Sequence, residues 1–339
     1  MTVTRRNAAS HPKMPYGSSG TLSKTDDNME NYRLTAPRYE MMKYRRCGKS
    51  GLLLSEIALG FWQNFGADAD YEECRKIVEY AFDHGVTYFD LANNYGPPCG
   101  AAEEMFGRIW HGSLESHRDE IIIASKAGHH MWPGPYGEWG SRKNLIASVD
   151  QSLRRMKLDY VDIFYSHRPD PVTPLEETMQ ALVDIVRSGK ALYAGISKYP
   201  VDMAEKAYAY LRAHDVPALV YQGRYNLIDR GVENGVLEQA AAEGAGFVAF
   251  SPLHQGLLTG KYLNGIPADA RMRKGDSLKL EILTEELLSD LRKWHEEALA
   301  EGISDVQYAL RWILRRPEVT SVIVGARNLE QFKSSLSAL

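Results

Sequence analysis

Short apolar runs alternate with amphipathic segments of helical period along most of the chain from residue 44 onward. The runs are rich in β-branched and aromatic residues, and most lack the alternation of a strand with one face in water. This pattern is typical of parallel strands that are buried on both faces. Eight runs are predicted as strands: residues 57–60, 86–90, 121–125, 160–166, 191–197, 218–222, 246–250 and 320–324.

The segments between the runs carry helix start and stop signals. In the first, residues 71–84, apolar side chains recur at helical spacing. Asp70 is expected to cap its N-terminus, with Glu73 completing a capping box and Gly85 ending the helix. A later helix is predicted to begin after a cap at Thr173, in the run TPLEETMQALVDIVRSG.

Eight strand–helix units in roughly 280 residues match a closed (β/α)8 TIM barrel of α/β class. An open doubly wound sheet is the alternative, but no GxGxxG follows an early strand, so we prefer the barrel. Two further runs, near 43–47 and 52–55 with GKSG between them, predict an N-terminal β-hairpin at the lower end of the barrel. We expect residues 38–339 to form this single domain. Residues 1–37, rich in Ser, Asn, Pro and charge, are expected to be a disordered extension.

Composition narrows the function classes. The chain has 339 residues, 44% of them hydrophobic and 25% charged, which is typical of a soluble globular protein with an extensive core. Its net charge is -4 with the cations scattered, which argues against nucleic-acid binding. No apolar run approaches the roughly 20 residues of a membrane span, and the N-terminus lacks a signal-peptide core, so we expect a cytoplasmic protein. The three cysteines have no ligand-like spacing and predict no metal site.

Polar residues follow three consecutive predicted strands, at the end where a barrel carries its active site. Asp90 ends one strand, with Tyr95 in the next loop, Lys126 ends the following strand, and His167 follows the one after that. Singly, these could be an ion pair, a loop aromatic and a hydrogen-bonded histidine. Together they suggest a tuned phenol, because Lys126 is expected to lower the pKa of Tyr95 while Asp90 keeps the lysine charged.

The runs FDLANNYG, IIIASKAG, YVDIFYSHRPD and SVIVGAR resemble the aldo-keto reductase superfamily, from about residue 44 to the C-terminus. The resemblance implies that Asp90, Tyr95, Lys126 and His167 form a catalytic tetrad. It further implies hydride transfer from a nicotinamide to an aldehyde or ketone, with Tyr95 giving its proton to the alkoxide. Within the superfamily, NNYGPP and SHRPDPVTPLEET most resemble bacterial L-glyceraldehyde 3-phosphate reductases and, more distantly, potassium-channel β subunits.

The resemblance also implies the cofactor NADPH, with NADH less favoured. The implied cofactor-binding residues are Trp62, Ser197, Lys198, Gln222, Ser251, Pro252, Leu253, Gly256, Lys261, Arg271, Gly325, Arg327 and Gln331. By resemblance, Ser197 and Gln222 hold the nicotinamide amide and Phe250 stacks on its ring. SPLHQGLLTGK would wrap the pyrophosphate, and GARNLEQ would bind the adenosine 2′-phosphate or adenine at a helix N-terminus. Lys261 and Arg327 would favour NADPH.

Two positions depart from the pattern of the superfamily. Lys198 and Ser335 stand where many members have asparagine. On the substrate side, the expected binding residues are Phe61, Trp62, Tyr95, Trp132, His167 and Arg168. Alternatively, Trp132 and Trp139 only anchor the loop GHHMWPGPYGEWG. The polar rim suits a small hydroxylated or anionic aldehyde, and a sugar aldehyde or a relative of glyceraldehyde 3-phosphate is the leading substrate class.

Other functions stay open at this point. A nucleotide-sensing regulatory subunit would keep the fold and the cofactor site without turnover, although such subunits typically carry asparagine where this chain has His167. A Schiff-base aldolase would use Lys126, which its pairing with Asp90 disfavours. A metal-dependent hydrolase is disfavoured because no two-histidine and carboxylate set occurs at adjacent strand ends. A homo-oligomer is compatible with the sequence.

Overall fold

The computed structural model describes residues 38–266 and 280–338. The expected extension over residues 1–37 and the expected cofactor contact Arg271 lie outside the described residues. The strands within the described ranges are β1 (Tyr44–Arg46), β2 (Leu53–Ser55), β3 (Ile57–Gly60), β4 (Tyr88–Asp90), β5 (Ile122–Ala127), β6 (Val161–Ser166), β7 (Ala191–Ser197), β8 (Ala218–Arg224), β9 (Gly246–Phe250) and β10 (Val319–Val324). The α-helices there are α1 (Tyr71–Asp83), α2 (Ala101–Ile109), α3 (Arg142–Met156), α4 (Leu175–Arg187), α5 (Val201–Ala213), α6 (Val236–Glu243), α7 (Glu285–Ala300), α8 (Asp305–Leu314) and α9 (Leu329–Leu336).

Strands β3 to β10 form a closed parallel barrel in the order β10-β3-β4-β5-β6-β7-β8-β9. Each follows the previous one through a helix-bearing connection, and β10 pairs with β3 to complete the ring. The predicted (β/α)8 barrel is therefore confirmed, and every predicted apolar run supplies one strand. The main differences are at the C-terminal ends of β5 and β8, which continue to Ala127 and Arg224, two residues beyond the predicted limits.

The barrel interior is filled by side chains that alternate inward from the strands. Tyr88, Ile163 and Tyr165 are fully buried there and pack in one cluster with smaller apolar residues. Removing these large side chains from water provides much of the driving force that closes the barrel. The strands are apolar on their outer faces as well, because the surrounding helices cover them.

The predicted N-terminal hairpin closes the lower end of the barrel. Strands β1 and β2 pair antiparallel, and Cys47 and Leu54 of this hairpin are fully buried against the barrel interior. The turn is anchored by the backbone N–H of Lys49, which donates to Gly244 O at 2.8 Å. Gly48 has φ +56° and a Cβ there would lie 2.0 Å from Gly244 O, so only glycine allows this close approach.

Two helix starts differ from prediction. Asp70 accepts from the backbone N–H of Glu73 at 2.7 Å as expected, but the Glu73 carboxylate accepts from Leu329 N instead of returning to the cap. Helix α4 has Pro174, not Thr173, at its N-cap. The backbone of Pro174 is extended, with ψ 133°, so the helix begins one residue later than predicted and Thr173 lies outside it. Within the described residues, no helix combines the length and apolar character that crossing a membrane would require.

Candidate active site

A cavity of about 560 Å³ opens at the C-terminal end of the barrel. Each of the eight strands contributes its last residues or the loop that follows, from Gly60 of β3 to Val324 of β10. Parallel strands bring their carboxyl ends to one face, so residues that are far apart along the chain meet here.

A buried ion pair lies beneath the cavity floor. Lys126 on β5 is fully buried, and its Nζ donates to Asp90 Oδ2 and to Leu91 O, both at 2.6 Å. Asp90 Oδ1 accepts from Gln222 Nε2 at 2.8 Å and from the Tyr88 hydroxyl at 3.2 Å. Burial lowers the pKa of Lys126 from its ordinary value, and the Asp90 charge and hydrogen bond oppose that shift. Both oxygens of the carboxylate are therefore occupied within the floor.

Tyr95 lines the cavity above this pair, with its ring centroid 5.0 Å from Lys126 Nζ. Burial raises the pKa of Tyr95 well above its ordinary value, and the negative charge of Asp90 adds to the rise. The net pKa of Tyr95 is therefore raised, whereas the effect expected of Lys126 was to lower it. Burial of the phenol is the leading cause, and the Lys126 ammonium, which contacts Asp90 directly, does not offset it.

His167 stands edge-on to Tyr95, with ring centroids 5.8 Å apart. The side chain is buried, and burial, followed by repulsion from Lys198 and Lys126, lowers its pKa well below the ordinary value. The imidazole is therefore neutral at pH 7 and carries one N–H. Within the described part of the chain, its Nδ1 has no hydrogen-bond partner.

Most of the expected cofactor-binding residues line the same cavity. They are Trp62, Lys198, Ser251, Pro252, Leu253, Gly256, Lys261, Gly325, Arg327 and Gln331, with Phe250 and Ser335 beside them. Ser197 and Gln222 are buried and are not among the lining residues. Ser197 Oγ is buried without a partner among the described residues, whereas the Gln222 amide nitrogen already donates to Asp90.

The donor set suits a phosphate-bearing dinucleotide. In the loop after β9, Ser251 and Gln255 both have φ 57°, and Gly256 has φ +101°. A Cβ on Gly256 would lie 3.1 Å from the Lys261 side chain, so the loop backbone and this lysine approach closely. On the facing side, Arg327 precedes the N-terminus of α9, where backbone N–H groups and the helix dipole favour anions. Cations, hydroxyls and a helix N-terminus thus line one cavity, and the residues present fit the expected cofactor.

The expected substrate-binding residues divide into two groups. Phe61, Trp62, Tyr95 and His167 line the cavity, whereas Trp132 and Arg168 are not among its lining residues. The Arg168 guanidinium lies 3.7 Å from the Trp139 ring centroid and donates to Gly128 O and Glu138. Its charge therefore braces the loop after β5. Arg168 therefore lies outside the cavity lining, and its expected role in substrate binding stays a prediction. The contact agrees with the alternative that Trp139 anchors the loop.

Some lining residues were not predicted, above all Arg224 and Asn94. Arg224 was placed beyond the strand because β8 was predicted to end at 222, whereas the strand reaches Arg224. The alternation of Val220, Gln222 and Arg224 along the strand is a signal that could have identified it. In the ranges 38–266 and 280–338, no group of three or more His, Cys, Asp or Glu side chains is placed to hold a metal ion.

Comparison with known proteins adds an independent finding. The sequence profile described as "Aldo/keto reductase family" matches residues 56–339. The chain is 53% identical over 307 residues to an L-glyceraldehyde 3-phosphate reductase of Escherichia coli (strain K12), covering 89% of each chain. It is 35% identical over 305 residues to a probable voltage-gated potassium channel subunit beta of Arabidopsis thaliana, covering 88% of this chain and 91% of that protein.

Proposed function

Because the chain belongs to the aldo/keto reductase family, we propose that it uses NADPH to reduce a small aldehyde, either a sugar aldehyde or a relative of glyceraldehyde 3-phosphate, to the alcohol. Family membership makes it an NAD(P)H-dependent oxidoreductase. The observation that carries the proposal is the placement of a protonated phenol and a neutral imidazole on one cavity wall, above a buried ion pair. The printed name of the E. coli relative supports the substrate class.

In the proposed reaction, Tyr95 is the proton donor. Its raised pKa keeps the phenol protonated at neutral pH, so the resting state is ready for reduction. An alkoxide is a far stronger base than a phenolate, so proton transfer from Tyr95 to the developing alkoxide is favourable in spite of that raised pKa. The N–H of neutral His167 and the Tyr95 hydroxyl would together hold the substrate carbonyl oxygen and stabilise the charge that develops on it.

The bound NADPH would supply the hydride that adds to the carbonyl carbon. Residues after β9 and β10 would hold its phosphates and adenosine, with Lys261 and Arg327 favouring the 2′-phosphate. Lys126 and Asp90 would act from beneath, because the ammonium 5.0 Å from the Tyr95 ring stabilises a transient phenolate until it is reprotonated. The buried lysine donates to Asp90 and to a backbone carbonyl, which disfavours its use as a Schiff-base nucleophile. A cytoplasmic location and a possible homo-oligomer remain part of this proposal.

The test is NADPH oxidation with a panel of small aldehydes, comparing the wild type with Tyr95→Phe and a matched control, Tyr210→Phe. Tyr95→Phe is expected to lower kcat by about 10²- to 10⁴-fold, because it removes only the acidic hydroxyl. Tyr210 on α5 donates to Gln180, away from the cavity lining, and its loss should leave kcat unchanged. Tight NADPH binding without turnover of any aldehyde would instead favour a nucleotide-sensing protein.

A further inference from the structure

Two cations stand side by side on the rim of the cavity. Lys198 follows β7 and Arg224 ends the neighbouring strand β8, and both line the cavity. Both lie near the ring of Phe250, whose centroid is 5.5 Å from Lys198 Nζ and 5.9 Å from Arg224 Cζ. We call Lys198 and Arg224 the rim pair.

The rim pair has no ion-pair partner among residues 38–266 and 280–338. The carboxylates nearby are already engaged: Asp90 by Lys126 and Glu138 by Arg168. Asp229 interacts electrostatically with Arg224, but its carboxylate accepts a hydrogen bond from Asn226 and contacts His254. Like charges therefore converge on open space, an arrangement that an anion entering the cavity would relieve.

Repulsion is already visible at Lys198. Burial at the cavity wall, followed by the charges of Lys126, Arg168 and Arg224, lowers the pKa of Lys198 to about 8. Its backbone is in the left-handed region, with φ 64°, which is uncommon for a non-glycine residue. Lys198 carries both costs although the residue is solvent-exposed at the cavity rim.

The position of the rim pair points to the substrate. Lys198 Nζ is 3.3 Å from His129 Nε2, the His129 ring stands edge-on to His167 at 4.5 Å, and His167 stands edge-on to Tyr95. Burial and neighbouring cations lower the pKa of His129 to about 4, so its ring is neutral and can accept from the Lys198 ammonium. A continuous row of side chains thus connects the rim pair to the groups proposed to hold the carbonyl oxygen.

We propose that the rim pair binds the phosphate monoester of the aldehyde substrate, while the carbonyl oxygen lies between Tyr95 and His167. This inference rests on the proposed function and specifies its substrate class. A phosphate monoester carries a charge of about −1.5 to −2 at pH 7 and has several acceptor oxygens. It therefore complements two cations better than a substrate with a single carboxylate would. Arg224 can donate to two of those oxygens at once. A neutral sugar would leave both charges without compensation.

The first experiment compares glyceraldehyde 3-phosphate with glyceraldehyde in the wild type, Lys198→Met, Arg224→Met and the double variant. Each single substitution is expected to lower the ratio of the two kcat/KM values about 10- to 100-fold, the usual worth of a hydrogen bond to a charged group. Lys198→Arg retains the charge and should retain most of the ratio. Lys206→Met, the same change at an exposed position on α5, should leave the ratio unaltered.

NADPH titrations of the same variants separate a substrate site from a cofactor site, since the resemblance to the superfamily assigned Lys198 to the cofactor. A tenfold weaker Kd for NADPH with an unchanged substrate ratio would overturn the proposal. So would an equal loss with both aldehydes, because that result indicates a role independent of the phosphate. Retention of the ratio in the double variant would overturn it as well.

A binding measurement keeps this inference separate from the proposed function. Calorimetric titration of the NADP⁺-loaded protein with glycerol 3-phosphate should show binding that the double variant loses, whereas glycerol should bind weakly to both. If the wild type reduces no aldehyde but still binds glycerol 3-phosphate through the rim pair, the proposed function fails and the anion site stands. If reduction proceeds but glycerol 3-phosphate binds wild type and double variant alike, the anion site fails alone.

Discussion

Two pairs of charged residues, separated by the single strand β6, differ in whether their charges are neutralised within the protein. The Asp90–Lys126 pair is buried beneath the cavity, and its N–O distance of 2.6 Å is supported by Gln222 and Leu91. The rim pair stands at the cavity wall with no carboxylate partner among the described residues. One set is neutralised within the protein and the other is open to a ligand.

This difference in pairing separates charged groups that orient other side chains from charged groups that are available to bind a ligand. A buried charge must be paired, because desolvation costs more than any distant interaction returns. A charge at a cavity wall keeps part of its hydration and can exchange water for an anion. Lys126 is therefore available to influence Tyr95 but not to bind substrate, and the rim pair is available to bind but is a poor contributor to stability.

The largest effect should come from breaking the buried pair. Asp90→Asn leaves a buried ammonium without its counter-ion and is expected to lower the free energy of unfolding by about 3–5 kcal/mol. Asp150→Asn is the matched control, since Asp150 pairs with Lys190 and both side chains are about one-third exposed. That change should cost less than about 1 kcal/mol. Equal losses in urea unfolding of the two variants would contradict the comparison.

An intermediate effect should appear in the pH dependence of substrate use. Lys198 is charged below its pKa of about 8 and loses that charge as the pH rises through it. For a phosphate-bearing aldehyde, kcat/KM should therefore fall above pH 8, by at most about tenfold per pH unit, because one proton is involved. The charged or titratable groups that face this ammonium are Lys126, His129, His167, Arg168 and Arg224.

The control for that profile is a neutral aldehyde. Its kcat should be flat between about pH 6 and pH 9, because the pKa of Tyr95 is raised above this window and the pKa of His167 is lowered below it. In Lys198→Arg the fall above pH 8 should disappear, since a guanidinium stays charged. A fall of the same size with both aldehydes would assign the titration to another group.

The smallest effect is expected from the rim pair on folding. Lys198→Met removes a charge that is repelled by its neighbours and should change the free energy of unfolding by less than about 0.5 kcal/mol, with a tendency toward stabilisation. Urea unfolding of this variant beside Asp90→Asn measures the contrast directly. A loss of several kcal/mol in Lys198→Met would mean that the rim pair supports the fold.

The fold was largely predictable because each apolar run indicates a parallel strand that is buried on both of its faces. All eight predicted barrel strands are present, and so is the hairpin with Gly48 in its turn. The ends of strands were less predictable, since hydrogen bonds to neighbouring strands extend β5 and β8 past their apolar cores. That extension explains why Arg224 was missed. The predicted Thr173 cap was wrong because Pro174 has an extended backbone, with ψ 133°, and takes the N-cap position itself.

The convergence of the four expected tetrad residues was predictable from the sequence, but their electrostatics were not. Asp90, Tyr95, Lys126 and His167 follow successive strands, and parallel strands must bring them to one rim. The expected Asp90–Lys126 contact is present at 2.6 Å, but burial of the phenol raises the pKa of Tyr95, and residue spacing does not reveal that burial. Arg168 likewise stabilises the loop after β5, because its guanidinium contacts Glu138 and Trp139 of that loop.

The sequence by itself determined the barrel, the hairpin at its lower end, and the order in which an acid, a phenol, an amine and an imidazole reach the cavity. Periodicity and strand order depend on the local pattern of residues, which the sequence shows directly. Only the tertiary structure decided which charges cancel. Coulomb interactions vary with distance and desolvation, so a pKa depends on atoms that meet only when the chain has folded. That is why Tyr95 is a more weakly acidic phenol than the motif suggested, and why the rim pair remains available for an anion.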